Sequence, residues 1–174
     1  MTLMAEKPKS NVPIFPAGTH HAVCYSIVDL GTQVGDYMGK PKSQWKIRIG
    51  WEFPQVRIDY EVEGVMKNVP RVYSKEYTLS LHEKANLTKD LIAWRGRLFT
   101  LKEWGGGFDV FSMLGENCLI QIVHQVNQAG TKTYAKVASV AQLMAGMESV
   151  EPESDILKFR VFKNWDAILA DRSA

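Results

Sequence analysis

The sequence is poor in the residues on which covalent and metal chemistry depend. Only two of its 174 residues are cysteines, Cys24 and Cys118, and each lies in an apolar, strand-like run. This pattern is typical of reduced, buried thiols in a cytosolic protein and argues against a disulfide framework. Neither a Cys-x-x-Cys nor a His-Glu-x-x-His motif occurs. The three glycines at 105–107 lack the flanking strand and Lys-Ser/Thr of a phosphate loop.

Other candidates for a catalytic or metal site are equally weak. His20 and His21 are neighbours on a predicted strand, so their side chains point to opposite faces and cannot chelate one metal by themselves. Six acidic residues between positions 29 and 63 have no spacing that selects a metal-dependent nuclease over a solvated edge. We therefore predict a protein that is not an enzyme and that uses no metal and no cofactor.

Long apolar runs and a strong charge imbalance are also missing. No stretch of about 18 apolar residues could span a bilayer, and the chain does not begin with a basic-then-apolar leader. We therefore expect no membrane association and a cytoplasmic location. The formal net charge is +2, with 17 basic against 13 acidic residues in 1–147 and four acidic residues without a base in 148–155. The body of the chain is thus mildly basic.

Local composition divides the chain into three parts. Residues 1–17 contain three prolines and no hydrophobic periodicity, which predicts a disordered N-terminal arm. Residues 18–147 alternate strand-like runs with turn signals and form one predicted domain. Residues 148–174 combine an acidic linker with an amphipathic segment, which docks a partner or packs onto its own domain. The predicted partner-binding residues are Phe159, Phe162 and Trp165.

The order of the predicted elements indicates the fold class. Strands are expected at 18–30, 44–53, 70–81, 116–126 and 132–143, with a basic loop at 34–43. Two capping-box patterns, Ser80 with Glu83 and Thr100 with Glu103, predict short helices between the third and fourth strands. Five antiparallel strands with this helical insert have the connectivity of an OB-fold barrel. The predicted class is therefore mainly β with a helical insert, and a β-sandwich or an unrelated α+β sheet is the alternative.

An alternation of cations and aromatic rings suggests what the barrel binds. In RVYSKEYTLSL (71–81), every second residue from Arg71 to Tyr77 is a cation or a tyrosine, and the series ends in Leu79 and Leu81. A core face is usually aliphatic throughout. The faces of strands 2 and 3 and loops 1–2 and 4–5 of OB-folds bind oligonucleotides, whose unpaired bases stack on aromatic rings. Half-buried strand tyrosines are the structural alternative. The predicted nucleic-acid-binding residues are Tyr37, Lys40, Lys42, Lys46, Arg48, Arg71, Tyr73, Lys75, Tyr77, Lys132, Tyr134 and Lys136.

Several runs of the sequence resemble a family of small proteins encoded by tailed bacteriophages. These runs are DLGTQ, YTLSLHEKANLTKDLIAWRGRLFT, GFDVFSMLG and NCLIQIVH, and the resemblance covers roughly residues 17–145. It implies an OB-fold protein that binds single-stranded DNA during phage DNA replication and recombination in the host bacterial cytoplasm.

The residue pattern and the resemblance together predict a sequence-nonspecific single-stranded DNA-binding protein that coats and protects unpaired strands. We expect single-stranded DNA or RNA as the ligand, assembly into a homo-oligomer, and a replication or recombination protein as a further partner. The alternative function is a non-catalytic protein–protein interaction module that binds a replication, recombination or host protein.

Overall fold

The computed structural model describes residues 12–160, which form a mainly β domain with a short helical insert. The strands are β1 (Gly18–Tyr37), β2 (Lys40–Val62), β3 (Val65–Thr78), β4 (Asn117–Val126), β5 (Thr133–Ala141) and β6 (Leu157–Phe159). The insert between β3 and β4 holds α1 (Asn86–Arg95), α2 (Leu101–Gly106) and a 3₁₀ turn (Val110–Met113). None of these helices has the length and apolar character needed to cross a bilayer.

The five long strands form one curled antiparallel sheet in the order β3-β2-β1-β4-β5, and the short β6 pairs in parallel with β1. This order and the position of the helical insert are consistent with an OB-like barrel, so the predicted fold class is confirmed. The two end strands are β3 and β5, and no ladder joins them within residues 12–160. Instead, the Tyr73 hydroxyl donates a hydrogen bond to the Ala135 carbonyl across this seam.

The predicted loop at 34–43 is wrong, because β1 and β2 continue through it as a hairpin. The turn consists of Met38 and Gly39, which have φ angles of 51° and 76°. Two successive left-handed residues make the kind of tight turn whose twist matches that of the flanking strands. Composition alone suggested a flexible loop, whereas the positions of tyrosine and lysine are fixed by backbone pairing up to Tyr37 and Lys40.

One of the two predicted helix caps is wrong and the other is confirmed. Helix α1 begins after Ala85, which has no capping side chain, and the Ser80 hydroxyl accepts a hydrogen bond from the His82 amide instead. In α2 the hydroxyl of Thr100 accepts from the backbone amide of Glu103, and the carboxylate of Glu103 accepts from the backbone amide of Thr100. The Ser80–Glu83 pattern lies in the loop before α1. A four-residue motif is a weak predictor of a helix start, because it also occurs by chance outside helices.

The core lies on the concave side of the sheet, beneath the helical insert. Alternate β2 residues point into it, as their strict alternation predicts; the buried members are Ile47, Ile49, Trp51 and Phe53. Helix α1 covers this side and contributes Trp94, whose ring lies 5.9 Å from that of Trp51. Both cysteines are buried here without a disulfide, and burial raises the pKa of Cys24 to about 12. The thiols are therefore protonated at neutral pH.

Part of the predicted disordered arm is packed, so that prediction is wrong for residues 12–17. Phe15 is only 2% exposed and makes edge contacts with the rings of Phe53 and Tyr73. Its carbonyl also hydrogen-bonds the His124 ring at 2.7 Å. Phe15 is a single aromatic residue among prolines, so no hydrophobic periodicity indicated that it is buried. Its burial nevertheless fixes the arm to the barrel.

The predicted acidic linker is also wrong for the residues that the structure describes, because 148–160 form a strap across the sheet. The carboxylate of Glu52 is fully buried and accepts the backbone amides of Glu153 and Ser154 at 2.7 and 2.8 Å. Asn117 exchanges two further hydrogen bonds with the backbone of Val150. A buried carboxylate is tolerated here because both oxygens receive hydrogen bonds. The strap is therefore part of the domain.

Candidate nucleic-acid interface

Five of the predicted binding residues lie on one outer face of the β1–β2 hairpin. Lys40, Lys42, Lys46 and Arg48 are alternate residues of β2, and Tyr37 of β1 is the pairing partner of Lys40. We call this set the outer row. Tyr37 is 62% exposed, and the Lys42 amino group lies 5.1 Å from its ring centroid. The outer row is thus a cationic strip, interrupted only by Gln44, that ends in an exposed ring.

Four other predicted residues lie on the opposite, concave side, and we call them the inner row: Arg71, Tyr73, Lys75 and Tyr77. In the β2–β3 ladder Tyr73 pairs with Trp51 and Tyr77 with Ile47, whereas Lys46 and Arg48 pair with Thr78 and Glu76. Cross-strand partners share a face, so the inner row belongs with the core residues. The prediction that both rows line one outer surface is therefore wrong.

Two members of the inner row are bound to helix α1. The Lys75 amino group and the Tyr77 hydroxyl each lie 2.7 Å from the same Asp90 oxygen. Tyr77 is 2% exposed, and its pKa is raised by burial first and by the Asp90 carboxylate second. The cation and the ring next to it therefore attach the helix to the sheet, and the Lys75 charge is already neutralised.

The other two members of the inner row hold the N-terminal arm and the seam of the barrel. The guanidinium of Arg71 donates to the carbonyls of Pro13 and Ile14 and lies 4.8 Å from the Phe15 ring. Tyr73 bridges the seam to β5 through its hydroxyl. Burial raises the pKa of Tyr73, and nearby Tyr134 adds to the shift. Each inner-row side chain thus has a structural partner. The alternative of half-buried strand tyrosines describes Tyr73, whereas Tyr77 is almost fully buried.

The predicted residues around β5 form a separate group. Ala135 and Val137 are buried, so Tyr134 and Lys136 lie on the exposed side of the strand. Lys132, predicted as the first residue of the fifth strand, lies in the turn just before β5, where its amide donates to the Asn127 side chain at 3.1 Å. No hydrogen bond or ion pair within the described part of the chain joins this group to the outer row. The structure therefore brings together the β2 half of the predicted site but leaves the β5 half apart.

Only one predicted partner-binding residue can be placed. Phe159 is the last residue of β6 and is 51% exposed, next to Lys158, whose amino group lies 4.7 Å from the Phe111 ring. Phe162 and Trp165 lie outside the described residues. The edge strand therefore leaves the Phe159 ring half open, while its neighbour contacts the helical insert.

The cations of the outer row differ in how much of their charge is free. Arg48 forms an ion pair with Glu76 at 2.6 Å, in which both side chains are about half exposed. Lys40, Lys42 and Lys46 have no carboxylate within ion-pair distance among residues 12–160. Lys46 donates to the neutral Thr78 hydroxyl at 3.0 Å. Three lysines of the outer row are thus available to an anionic ligand.

Two residues that the sequence interpretation left out lie beside the outer row. An open groove of about 400 Å³ extends from Gln44 and Lys46 to the segment before α1, where His82 and Lys84 form the other wall. Both residues were interpreted as part of a helix start because of the false capping box. The only sequence signal for a binding role of this segment was the presence of a histidine and a lysine between the third strand and the helix.

No metal or family signature accompanies this surface. The described residues contain no group of three or more histidine, cysteine or acidic side chains that could hold a metal ion. Comparisons with protein-family models, with curated proteins and with solved structures give no match.

Proposed function

We propose that this protein binds single-stranded DNA without sequence preference and coats unpaired strands during phage DNA replication or recombination in the bacterial cytoplasm. The observation that carries this proposal is the outer row, in which three lysines without an ion pair among residues 12–160 run along β2 to the exposed Tyr37. The OB-like barrel adds support, because strand 2 and the 1–2 connection are recurrent oligonucleotide surfaces in that fold.

The chemistry of the outer row suits an unpaired strand better than a duplex. Same-face residues of a β-strand recur every 7 Å or so, and an extended strand can present successive phosphates to lysines spaced in this way. Tyr37 offers a ring on which any base can stack, which is worth about 1–3 kcal/mol per base. Duplex DNA would leave this ring without a stacking partner, because its bases are already stacked on one another.

The proposal is restricted to the outer row and does not extend to the inner row. Lys75 is paired with Asp90, and the Arg71 guanidinium binds backbone carbonyls and lies against the Phe15 ring. A ligand that recruited these groups would have to break contacts that hold α1 and the N-terminal arm against the sheet. Tyr134 and Lys136 are exposed and form a second, separate surface that a longer strand would reach only after leaving β2.

Titration of a fluorescent oligo-dT against the full-length chain tests the proposal. Three phosphate contacts predict that log affinity falls against log salt with a slope of about −2, since each contact on a single strand contributes about −0.7. A duplex of the same length should bind more weakly at every salt concentration. Absence of oligo-dT binding at low salt would overturn the proposal and would favour the protein–protein interaction module instead.

A further inference from the structure

We propose that the bound strand continues from the outer row into the groove beside it, where Lys84 and His82 contact the phosphodiester backbone. This inference rests on the proposed function and extends it by defining where the path leads after Lys46. Neither residue was among the predicted binding residues. The groove is polar, and its remaining walls come from one end of the β2–β3 ladder, where Lys46 pairs with Thr78, and from the segment that leads into α1. These other lining residues are Gln44, Glu76, Tyr77, Thr78, Ser80, Ala85 and Asn86.

The outer row leads directly into the groove. Lys42, Gln44 and Lys46 are alternate residues on one face of β2, and the last two also line the groove. A ligand bound along the row therefore meets the groove about 7 Å beyond Lys42, at the next same-face residue of the strand. The only gap in the cationic pattern of the row, Gln44, is polar and can donate a hydrogen bond to a phosphate oxygen.

The charge of the groove favours an anion. Lys46 and Lys84 carry no ion pair within the described ranges, and the single acidic residue of the groove, Glu76, is bound to Arg48 at 2.6 Å. The hydrogen bond from Lys46 to Thr78 holds its amino group at the β3 side of the row, toward the groove. Two positive groups thus lie on opposite walls while the acidic group is already neutralised.

The far wall is held in place by its own hydrogen bonds. The Ser80 hydroxyl accepts the His82 amide at 3.1 Å, and the His82 carbonyl accepts the Ala85 amide at 2.8 Å. The His82 Nδ1 atom accepts the Lys84 amide at 3.2 Å. Nδ1 is therefore the acceptor, and the N–H of the neutral ring is on Nε2, where it can donate to a phosphate oxygen. The wall presents two donors on a fixed backbone.

A matched pair of lysine variants tests this inference. Lys84→Ala removes a groove lysine, and Lys89→Ala removes an exposed α1 lysine that does not line the groove, so both change the net charge equally. In oligo-dT titrations we expect Lys84→Ala to weaken binding about fivefold, equivalent to ~1 kcal/mol. The salt slope should fall by about 0.7 in magnitude. Lys89→Ala should bind like the unmodified chain.

The outcomes separate this inference from the function on which it rests. If the unmodified chain binds oligo-dT and Lys84→Ala matches Lys89→Ala, the path does not enter the groove, although the proposed function stands. If the unmodified chain does not bind, the proposed function fails and the path fails with it. Thermal unfolding of both variants shows whether a loss of binding reflects a loss of fold, and His82→Asn provides a second groove variant if Lys84→Ala is unstable.

Discussion

Two rows of cations and aromatic rings lie on neighbouring strands of this barrel and differ in what their side chains contact. In the inner row each cation has a partner: Lys75 binds Asp90, and Arg71 binds the carbonyls of the N-terminal arm. In the outer row, Lys40 and Lys42 contact no carboxylate among the described residues, and Lys42 lies over the exposed ring of Tyr37. The inner row therefore stabilises the fold, whereas the three lysines of the outer row have no ion pair among the described residues.

The difference arises from register rather than from residue type. Every inner-row residue is paired with an apolar residue of β2. In the outer row, Lys46 and Arg48 are paired with the polar β3 residues Thr78 and Glu76. Alternation along one strand shows that two faces exist, but the partner strand determines which face is buried. A tyrosine next to a lysine on the same strand face can thus attach a helix to a sheet, as Tyr77 does, as readily as it can stack on a base.

The largest expected effect is a loss of folding stability when Asp90, the acceptor shared by Lys75 and Tyr77 of the inner row, is removed. Asp90→Ala leaves the buried Tyr77 hydroxyl and the Lys75 ammonium without their partner. Loss of a partner for a buried polar group costs 1–3 kcal/mol, and charged hydrogen bonds are at the upper end of this range. We expect the free energy of unfolding, measured by urea denaturation, to fall by about 3 kcal/mol.

The matched control for this variant lies on the other face of β3. Glu76→Ala removes an acidic residue whose ion pair with Arg48 is about half exposed, so the expected loss of stability is within ~1 kcal/mol. Equal destabilisation by Asp90→Ala and Glu76→Ala would contradict the assignment of a structural role to the inner row alone.

An intermediate effect is expected at the tip of the outer row. Tyr37→Ala removes an exposed ring, so oligo-dT binding should weaken by about 1–2 kcal/mol, or roughly 5- to 30-fold, with little change in stability. Tyr60→Ala is the matched control, because Tyr60 is an exposed β2 tyrosine that also pairs with a lysine, Lys67, on the other hairpin. Equal weakening by both variants would contradict a specific role for Tyr37.

The smallest effect is a difference in how stability depends on alkaline pH. The pKa of Tyr77 is raised in the folded protein, so the unfolded chain ionises first, from about the ordinary value of 10.0. The stabilisation is therefore complete below that pH and is lost as the pH rises above it. Urea denaturation between pH 8 and roughly 11 should show a shallower loss for Tyr77→Phe than for the unmodified chain. Parallel curves would contradict the burial of this hydroxyl.

Much of the fold could be predicted from the sequence because its signals were local. The alternation of Trp51 and Phe53 with polar residues identified the core face of β2, and the placement of the helices after the third strand indicated the barrel. The Thr100–Glu103 cap was also correct because both partners lie within one helical turn. Features that depend on neighbours in sequence were thus accessible without a structure.

Features that depend on distant contacts could not be predicted. The burial of Glu52 requires the amides of Glu153 and Ser154, which follow it by about a hundred residues. Phe15 similarly becomes a core residue only when Phe53 and Tyr73 surround it. The predicted binding site was partly wrong for the same reason. No local pattern reveals that β2 and β3 present their cations to opposite sides of the sheet.

The most direct test of the account compares two double variants with the same change in net charge. Lys42→Ala/Lys46→Ala removes two unpaired cations of the outer row, and Lys89→Ala/Lys102→Ala removes two exposed lysines of the helices. We predict that only the first pair weakens oligo-dT binding, with the magnitude of the salt slope reduced by about 1.4. Equal binding by the two double variants would contradict the central claim that the outer row is the nucleic-acid interface.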